Sequence, residues 1–222
     1  MTPYYQDDYV TLYHGGCLEL TDWLEADVLV TDPPYGIEWQ GYRNYTAGPG
    51  SKVDWSNVPI QNDTSAGLRD TALDLWGMKP AMVFGTWRQP RPVETRHRLI
   101  WWKQGQAPGP LNAAFMLQDE EIYILGKGWK KSSPPMRSVL PTTEHRGTEV
   151  KKIGHPTPKP VGLMEQLIRR APDGVIADPF AGSGATLVAA RNLGRKAIGV
   201  ELEEKYCEII ANRLSQGAFD FA

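Results

Sequence analysis

The chain has 222 residues, 41% hydrophobic, 10% aromatic and 23% charged, a composition that suits one soluble globular domain and excludes a disordered or fibrous chain. Twenty-four Lys and Arg against 26 Asp and Glu give a net charge of -2, which is not the basic balance of a stand-alone nucleic-acid clamp. Two cysteines without CxxC spacing, a polar N-terminus and the absence of any run near ~18 apolar residues predict a cytoplasmic protein with no disulfide framework, no metal and no membrane partner.

The charges are segregated. Residues 1–42 hold eight acidic residues and no Lys or Arg, residues 43–172 hold 19 basic and 11 acidic, and residues 173–222 hold 5 and 7. The middle of the chain is therefore its electropositive part.

In chain order, apolar runs predict buried strands at 9–13, 28–31, 81–84, 99–102, 122–125, 175–177 and 197–200. Their apolarity is continuous, as in a sheet covered on both faces. Helical periodicity marks 161–170, 185–193 and 203–215, the last with Tyr206, Ile209, Ile210 and Leu214 on one face. Gly- and Pro-rich loops fall at 36–57, 104–110 and 132–154. Strands alternating with helices predict an α/β fold with a mostly parallel sheet and helices on both faces, and ligands at the carboxyl ends of the strands.

The first such end is Asp32-Pro33-Pro34-Tyr35, directly after the apolar run 28–31. Two prolines fix the backbone and remove its donors, which sets the directions of the Asp32 carboxylate, the Pro33 carbonyl and the Tyr35 ring. A carboxylate beside a carbonyl is a double acceptor suited to an exocyclic amino group, and Tyr35 offers a face for a planar base. A simple Asp-Pro turn is the alternative.

The second end is Asp178-Pro-Phe180-Ala181-Gly182-Ser183-Gly184, between a strand and a helix. Gly182 and Gly184 allow close backbone approach by a ligand. No Lys-Ser/Thr pair makes it a P-loop, and Leu187 stands where a dinucleotide fingerprint has its third Gly. An adenosine without a pyrophosphate fits better. Glu201, nineteen residues after Gly182 and at the end of the next strand, is in register to accept hydrogen bonds from ribose hydroxyls.

Together these residues resemble the amino-group DNA methyltransferases that use S-adenosylmethionine. Asp32-Pro-Pro-Tyr35 looks like their catalytic motif and Asp178 to Gly184 like their cofactor motif, while His155-Pro-Thr157-Pro-Lys159-Pro160 is similar to the segment that closes over the cofactor's methionine portion. Catalytic motif first and cofactor motif last is the order of the permuted β class. The resemblance spans 10–214 and implies a Rossmann-like methyltransferase fold with a seven-stranded sheet containing one antiparallel strand. It also implies methyl transfer to adenine N6 or cytosine N4 in double-stranded DNA, with base flipping. Asp at the first motif position is the usual form for adenine in this class.

The same resemblance implies cofactor binding by Asp178, Phe180, Ala181, Gly182, Ser183, Gly184, Glu201, His155, Thr157 and Lys159, and catalysis by Asp32, Pro33, Pro34 and Tyr35. It departs at Gly16, where the related segment commonly has Asp near the cofactor's adenine. A single domain over 1–222 leaves room for only a small target-recognition insert at about 127–154. Within it Lys127, Lys130, Lys131, Arg137, Arg146, Lys151 and Lys152 face only Glu144 and Glu149, a candidate DNA contact. Trp39, with Tyr42, Tyr45 and Trp55, lies on the loop after the catalytic motif, either as a wedge at a flipped base or as a packed lid. So small a recognition region implies low sequence specificity or a homodimer sharing the DNA. Competing readings are an RNA or protein amino-group methyltransferase and an inactive DNA-binding paralogue. Methylation at cytosine C5 needs an activated cysteine, and neither Cys17 nor Cys207 follows a proline.

Overall fold

Short apolar runs broken by Gly and Pro give strands, and the 3.6-residue pattern between them gives helices. The computed structural model describes residues 1–39, 60–104, 114–115, 117–131, 135, 137–143 and 153–216, together with the backbone of 45–46 and 52–53. The strands are β1 (Tyr5–Gln6), β2 (Val10–His14), β3 (Val28–Thr31), β4 (Tyr45–Thr46), β5 (Lys52–Val53), β6 (Ala81–Gly85), β7 (His97–Lys103), β8 (Asp119–Leu125), β9 (Val139–Thr142), β10 (Ile176–Asp178) and β11 (Ala197–Glu201). The helices are α1 (Gly67–Trp76), α2 (Val161–Ile168), α3 (Ala185–Asn192) and α4 (Glu204–Gln216).

One sheet runs β1-β2-β11-β10-β3-β6-β8-β7-β9, and β4 pairs with β5 separately. Its seven central strands, β2 to β7 in that order, run parallel except β8, which is antiparallel to both β6 and β7. This is the arrangement the resemblance implies, with short β1 and β9 added at the edges.

Alternate strand residues face opposite layers. Val28 and Val30 of β3, with Met82 and Phe84 of β6, pack under Leu163, Met164, Leu167, Leu187 and Ile210 of α2, α3 and α4. Leu29, Ala81 and Val83 face the other way, toward Trp23, Ala72 and Trp76. There Trp23 stacks on Trp76 with ring centres 5.8 Å apart, worth about 0.5–1.5 kcal/mol beyond area burial. Both faces are thus covered, as the continuous apolar strands require.

Helix α1 and strand β9, like the two-residue strands β1, β4 and β5, were not legible as apolar runs. Helix α1 buries Arg69 beside Ala72 and Trp76, with the Arg69 guanidinium satisfied by Asp70 at 2.8 Å and the Pro90 carbonyl at 3.0 Å. Strand β9 carries Pro141 and alternates exposed with buried residues, which a sheet edge tolerates. It lies inside 127–154, so part of the stretch expected to form a recognition insert belongs to the main sheet.

Among the described residues, no helix is long and apolar enough to cross a membrane.

Candidate active site

The carboxyl ends of β3, β6, β10, β11 and β2 fall along one edge of the sheet, and the antiparallel β8 brings its amino end there. Asp32, Asp178, Glu201 and Glu120 therefore gather at that edge.

Asp32 follows β3 directly. Its Oδ2 takes a hydrogen bond from Lys159 Nζ at 2.5 Å, and Tyr35 Oη lies 2.8 Å from its Oδ1. The same Tyr35 oxygen is 2.9 Å from Glu120 Oε2, which Lys159 Nζ approaches to 3.2 Å. Lys103 on β7 pairs with Glu120 Oε1 at 2.5 Å. Burial pushes the Asp32 carboxyl above its ordinary range; the Lys159 cation and the Tyr35 hydroxyl oppose that shift, and Glu120 adds to it. Burial and both carboxylates push the Tyr35 phenol up as well. The Lys159 ammonium, 6% exposed, also lies over the rings of Tyr35, Phe84 and Trp101 at 5.5, 5.0 and 6.0 Å, contacts that favour a desolvated cation. Lys159, expected beside the cofactor, is thus held in the Asp32 cluster.

Beyond the tetrapeptide, Asp63 accepts hydrogen bonds from the backbone N–H of Gly36 at 2.6 Å and of Trp39 at 2.7 Å. Gln89 donates to the Gly36 carbonyl at 2.5 Å. These bonds fix where the chain leaves the catalytic motif.

The second half of the site is the Gly182 turn. Thr31, the residue before Asp32, donates its hydroxyl to Asp178 Oδ1 at 2.6 Å, and Phe180 N–H reaches the same oxygen at 3.2 Å. Asp178 is 2% exposed and burial pushes its carboxyl up to about 6. It ties the Gly182 turn to strand β3. Gly182 and Gly184 have φ of +52° and +77°, where a side chain is strained. A Cβ on Gly184 would stand 2.8 Å from Ile210, and one on Gly182 would stand 3.3 Å from His155 Nε2. Arg213 donates to the Ser183 carbonyl, and Ala181 N–H bonds the Val200 carbonyl at 3.0 Å.

Glu201 accepts hydrogen bonds from Gly182 N–H at 2.7 Å and Glu203 N–H at 2.8 Å, one on each oxygen. A carboxylate has about four acceptor positions, which leaves lone pairs for ribose hydroxyls. Burial pushes Glu201 up to about 7, against the pull of those two backbone donors. His155 lies tilted against Tyr206 at 4.6 Å, and its Nδ1 accepts from Thr157 N–H at 3.2 Å, so the ring proton sits on Nε2, facing Gly182. The residues fit an adenosine-bearing cofactor: a turn with Gly at 182 and 184, the Glu201 carboxylate with spare lone pairs and the His155-Pro-Thr-Pro segment meet at one edge. At Gly16 the space near the missing side chain holds the Glu19 carboxylate, 3.6–3.8 Å from where a Cβ would be.

Matching the family model described as DNA methylase covers residues 26–212. This chain belongs to the N6/N4 DNA methylase family. The Type II methyltransferase M.HinfI of Haemophilus influenzae is 40% identical over 254 residues, covering 93% of this chain and 68% of the relative. The Type II methyltransferase M.ScaI of Streptomyces caespitosus is 28% identical over 263 residues, covering 97% and 84%. Among solved structures, the M1.HpyAVI complex with SAM matches with TM-score 0.62 at 20% identity over 92% of this chain and 99% of the other. PvuII DNA methyltransferase, cytosine-N4-specific, matches with TM-score 0.65 at 18% identity over 95% and 88%. These two share the fold. The methyl donor of this DNA methylase family is S-adenosylmethionine.

Sequence reasoning missed Glu120, Lys103 and Thr31. Alternation along β8 and β7 puts Glu120 on the face of Ile122 and Lys103 on that of Trp101, a signal that a search for apolar runs discards. Of the basic residues expected to contact DNA, four are described, Lys127, Lys130, Lys131 and Arg137. Because β8 is antiparallel, its carboxyl end points away from Asp32, and Lys127, Lys130 and Lys131 leave the sheet there. Lys127 N–H bonds the Met78 carbonyl at 2.8 Å and Lys130 pairs with Asp173 at 2.6 Å. Arg137 stands at the β9 edge, two residues before that strand. Arg146, Lys151 and Lys152 lie outside the described residues, as do the side chains of Tyr42, Tyr45 and Trp55. At the catalytic end, beyond β6, Trp87 is 70% exposed with the Arg88 guanidinium 5.7 Å from its ring centre.

Proposed function

We propose that this chain transfers the methyl group of S-adenosylmethionine to the N6 amino group of adenine in double-stranded DNA, after the base has left the stack. The observation that carries this reading is the Asp32 carboxylate, pinned through Oδ2 by Lys159 and tied through Thr31 and Asp178 to the cofactor turn.

When bound, the cofactor supplies an electrophilic methyl group. Asp32 and the Pro33 carbonyl accept the two amino hydrogens of the base, which draws the nitrogen lone pair out of conjugation and orients it. Tyr35 holds the base by its ring face, with its hydroxyl anchored at Asp32 and Glu120. Gly182, Gly184 and Glu201 hold the adenosine, and the segment carrying His155 and Thr157 closes over the cofactor's methionine portion. Asp in the first motif position favours adenine over cytosine within the family.

A cysteine-dependent reaction at cytosine C5 is disfavoured by two buried thiols, Cys17 and Cys207, which burial pushes up to about 11 and about 12. For the duplex we propose contacts from Trp39, Trp87 and Arg88 at the end of the sheet that carries Asp32, and further contacts from Arg146, Lys151 and Lys152.

Incubating the protein with labelled cofactor and, in parallel, duplex DNA, RNA and a protein extract tests the substrate class. Label in DNA is expected; label confined to RNA or protein overturns the reading.

A further inference from the structure

The cluster around Asp32 holds more titratable groups than binding an amino group requires. Tyr35 Oη lies 2.8 Å from Asp32 Oδ1 and 2.9 Å from Glu120 Oε2. A phenol has one hydrogen to donate. One contact is a hydrogen bond from Tyr35; the other becomes one only when a carboxyl brings a proton of its own. One added proton therefore completes the chain Asp32, Tyr35, Glu120. The charged groups facing it are Lys159, 2.5 Å from Asp32 and 3.2 Å from Glu120, and Lys103, 2.5 Å from Glu120. Asp178 on β10 acts on Asp32 through space. Among the described residues, two ammonium groups stand against the carboxylates of Asp32 and Glu120.

We propose that Tyr35 and Glu120 form a proton relay behind Asp32. The proposal rests on amino-group transfer to DNA and holds for either adenine N6 or cytosine N4. As the new N–C bond forms and the donor's S–C bond breaks, the amino nitrogen becomes positively charged while still carrying both hydrogens. One N–H bond then breaks, its electron pair neutralises the nitrogen, and the proton passes to the Asp32 carboxylate. Asp32 hands a proton to the Tyr35 oxygen as Tyr35 gives its own hydrogen to Glu120. The phenol stays neutral throughout, Asp32 is ionised again, and Glu120 carries the proton until water takes it from a side chain that is 13% exposed. Asp32 is the catalytic residue; Tyr35 and Glu120 act through it, and Lys103 and Lys159 position them.

The test is single-turnover methylation of duplex DNA in mixtures of H2O and D2O, by wild type, Tyr35→Phe, Glu120→Gln and the double variant. Phe keeps the stacking ring and removes only the proton-carrying hydroxyl, whereas Gln keeps the size of Glu but also removes the charge paired with Lys103 and Lys159. Each single variant is expected to slow methyl transfer about ten- to hundredfold, with the double variant no slower than the slower single one. The rate is expected to bend with the D2O fraction in wild type, where several protons move together, and to be linear in every variant. Unchanged melting temperature and calorimetric affinity for cofactor show that the variants are folded, and Tyr35→Phe carries the test alone if Glu120→Gln is not. A wild-type rate in Glu120→Gln, losses that multiply in the double variant, or a linear wild-type response would overturn the relay alone. A wild type that leaves DNA unmethylated overturns the function reading and the relay with it.

Discussion

Replacing Glu201 by Gln separates the ribose-binding role of this residue from its structural one. In the folded apoprotein burial lifts Glu201 from 4.5 to about 7, so between those values the native state holds a proton that the unfolded chain has lost. Stability of the apoprotein therefore declines as pH rises through that window, by about 3 kcal/mol at most. Ribose hydroxyls need the ionised carboxylate as acceptor, so binding the cofactor expels the proton. Affinity should then strengthen up to about tenfold per pH unit below 7 and level off above it. Asp178, pushed up to about 6, titrates within the lower part of this window and adds to the decline in stability there. Gln removes the proton and one charge-assisted hydrogen bond of about 1.5–3 kcal/mol, which is about a 10- to 150-fold loss of affinity at pH 8. Its amide hydrogens also face the N–H of Gly182 or Glu203, so a small loss of stability accompanies it. Calorimetric titration with S-adenosylmethionine from pH 6 to 8.5, on both proteins, measures all of this. A variant within threefold of wild type at pH 8, or a wild-type affinity independent of pH, would refute the reasoning.

Asp32→Ala should lower methyl transfer at least about a hundredfold while sparing cofactor affinity; a normal turnover number, measured with labelled cofactor, would contradict the assigned role. Thr31→Val removes the 2.6 Å bond to buried Asp178 and should cost about 1–3 kcal/mol in thermal unfolding at neutral pH, so an unchanged melting curve counts against that link. Trp87→Ala, at a side chain 70% exposed, should leave stability within about 0.5 kcal/mol and raise KM for duplex DNA several-fold with no change in cofactor affinity. Equal KM values would remove Trp87 from the DNA face.

The strands and helices that carry the two motifs were legible because each is an apolar run ending in Asp32, Asp178 or Glu201, and tertiary structure places all three ends at one edge. What was hidden lies where charge enters the sheet. His97 and Arg98 begin β7, Lys103 ends it, and Asp119 to Glu121 begin β8, so a reading by apolarity shortened both strands and lost the Lys103–Glu120 pair. Four of those charges are tolerated because they pair across the strands, Lys103 with Glu120 and Arg98 with Glu121. The lysines after β8 were legible as a dense basic stretch, but only the direction of β8 reveals which end of the sheet they occupy.

The most direct test of the account is the identity of the methylated nucleoside. Duplex DNA methylated by the purified protein, digested to nucleosides and separated by liquid chromatography with mass spectrometry, should contain N6-methyldeoxyadenosine. N4-methyldeoxycytidine in its place would contradict the adenine assignment built on Asp32.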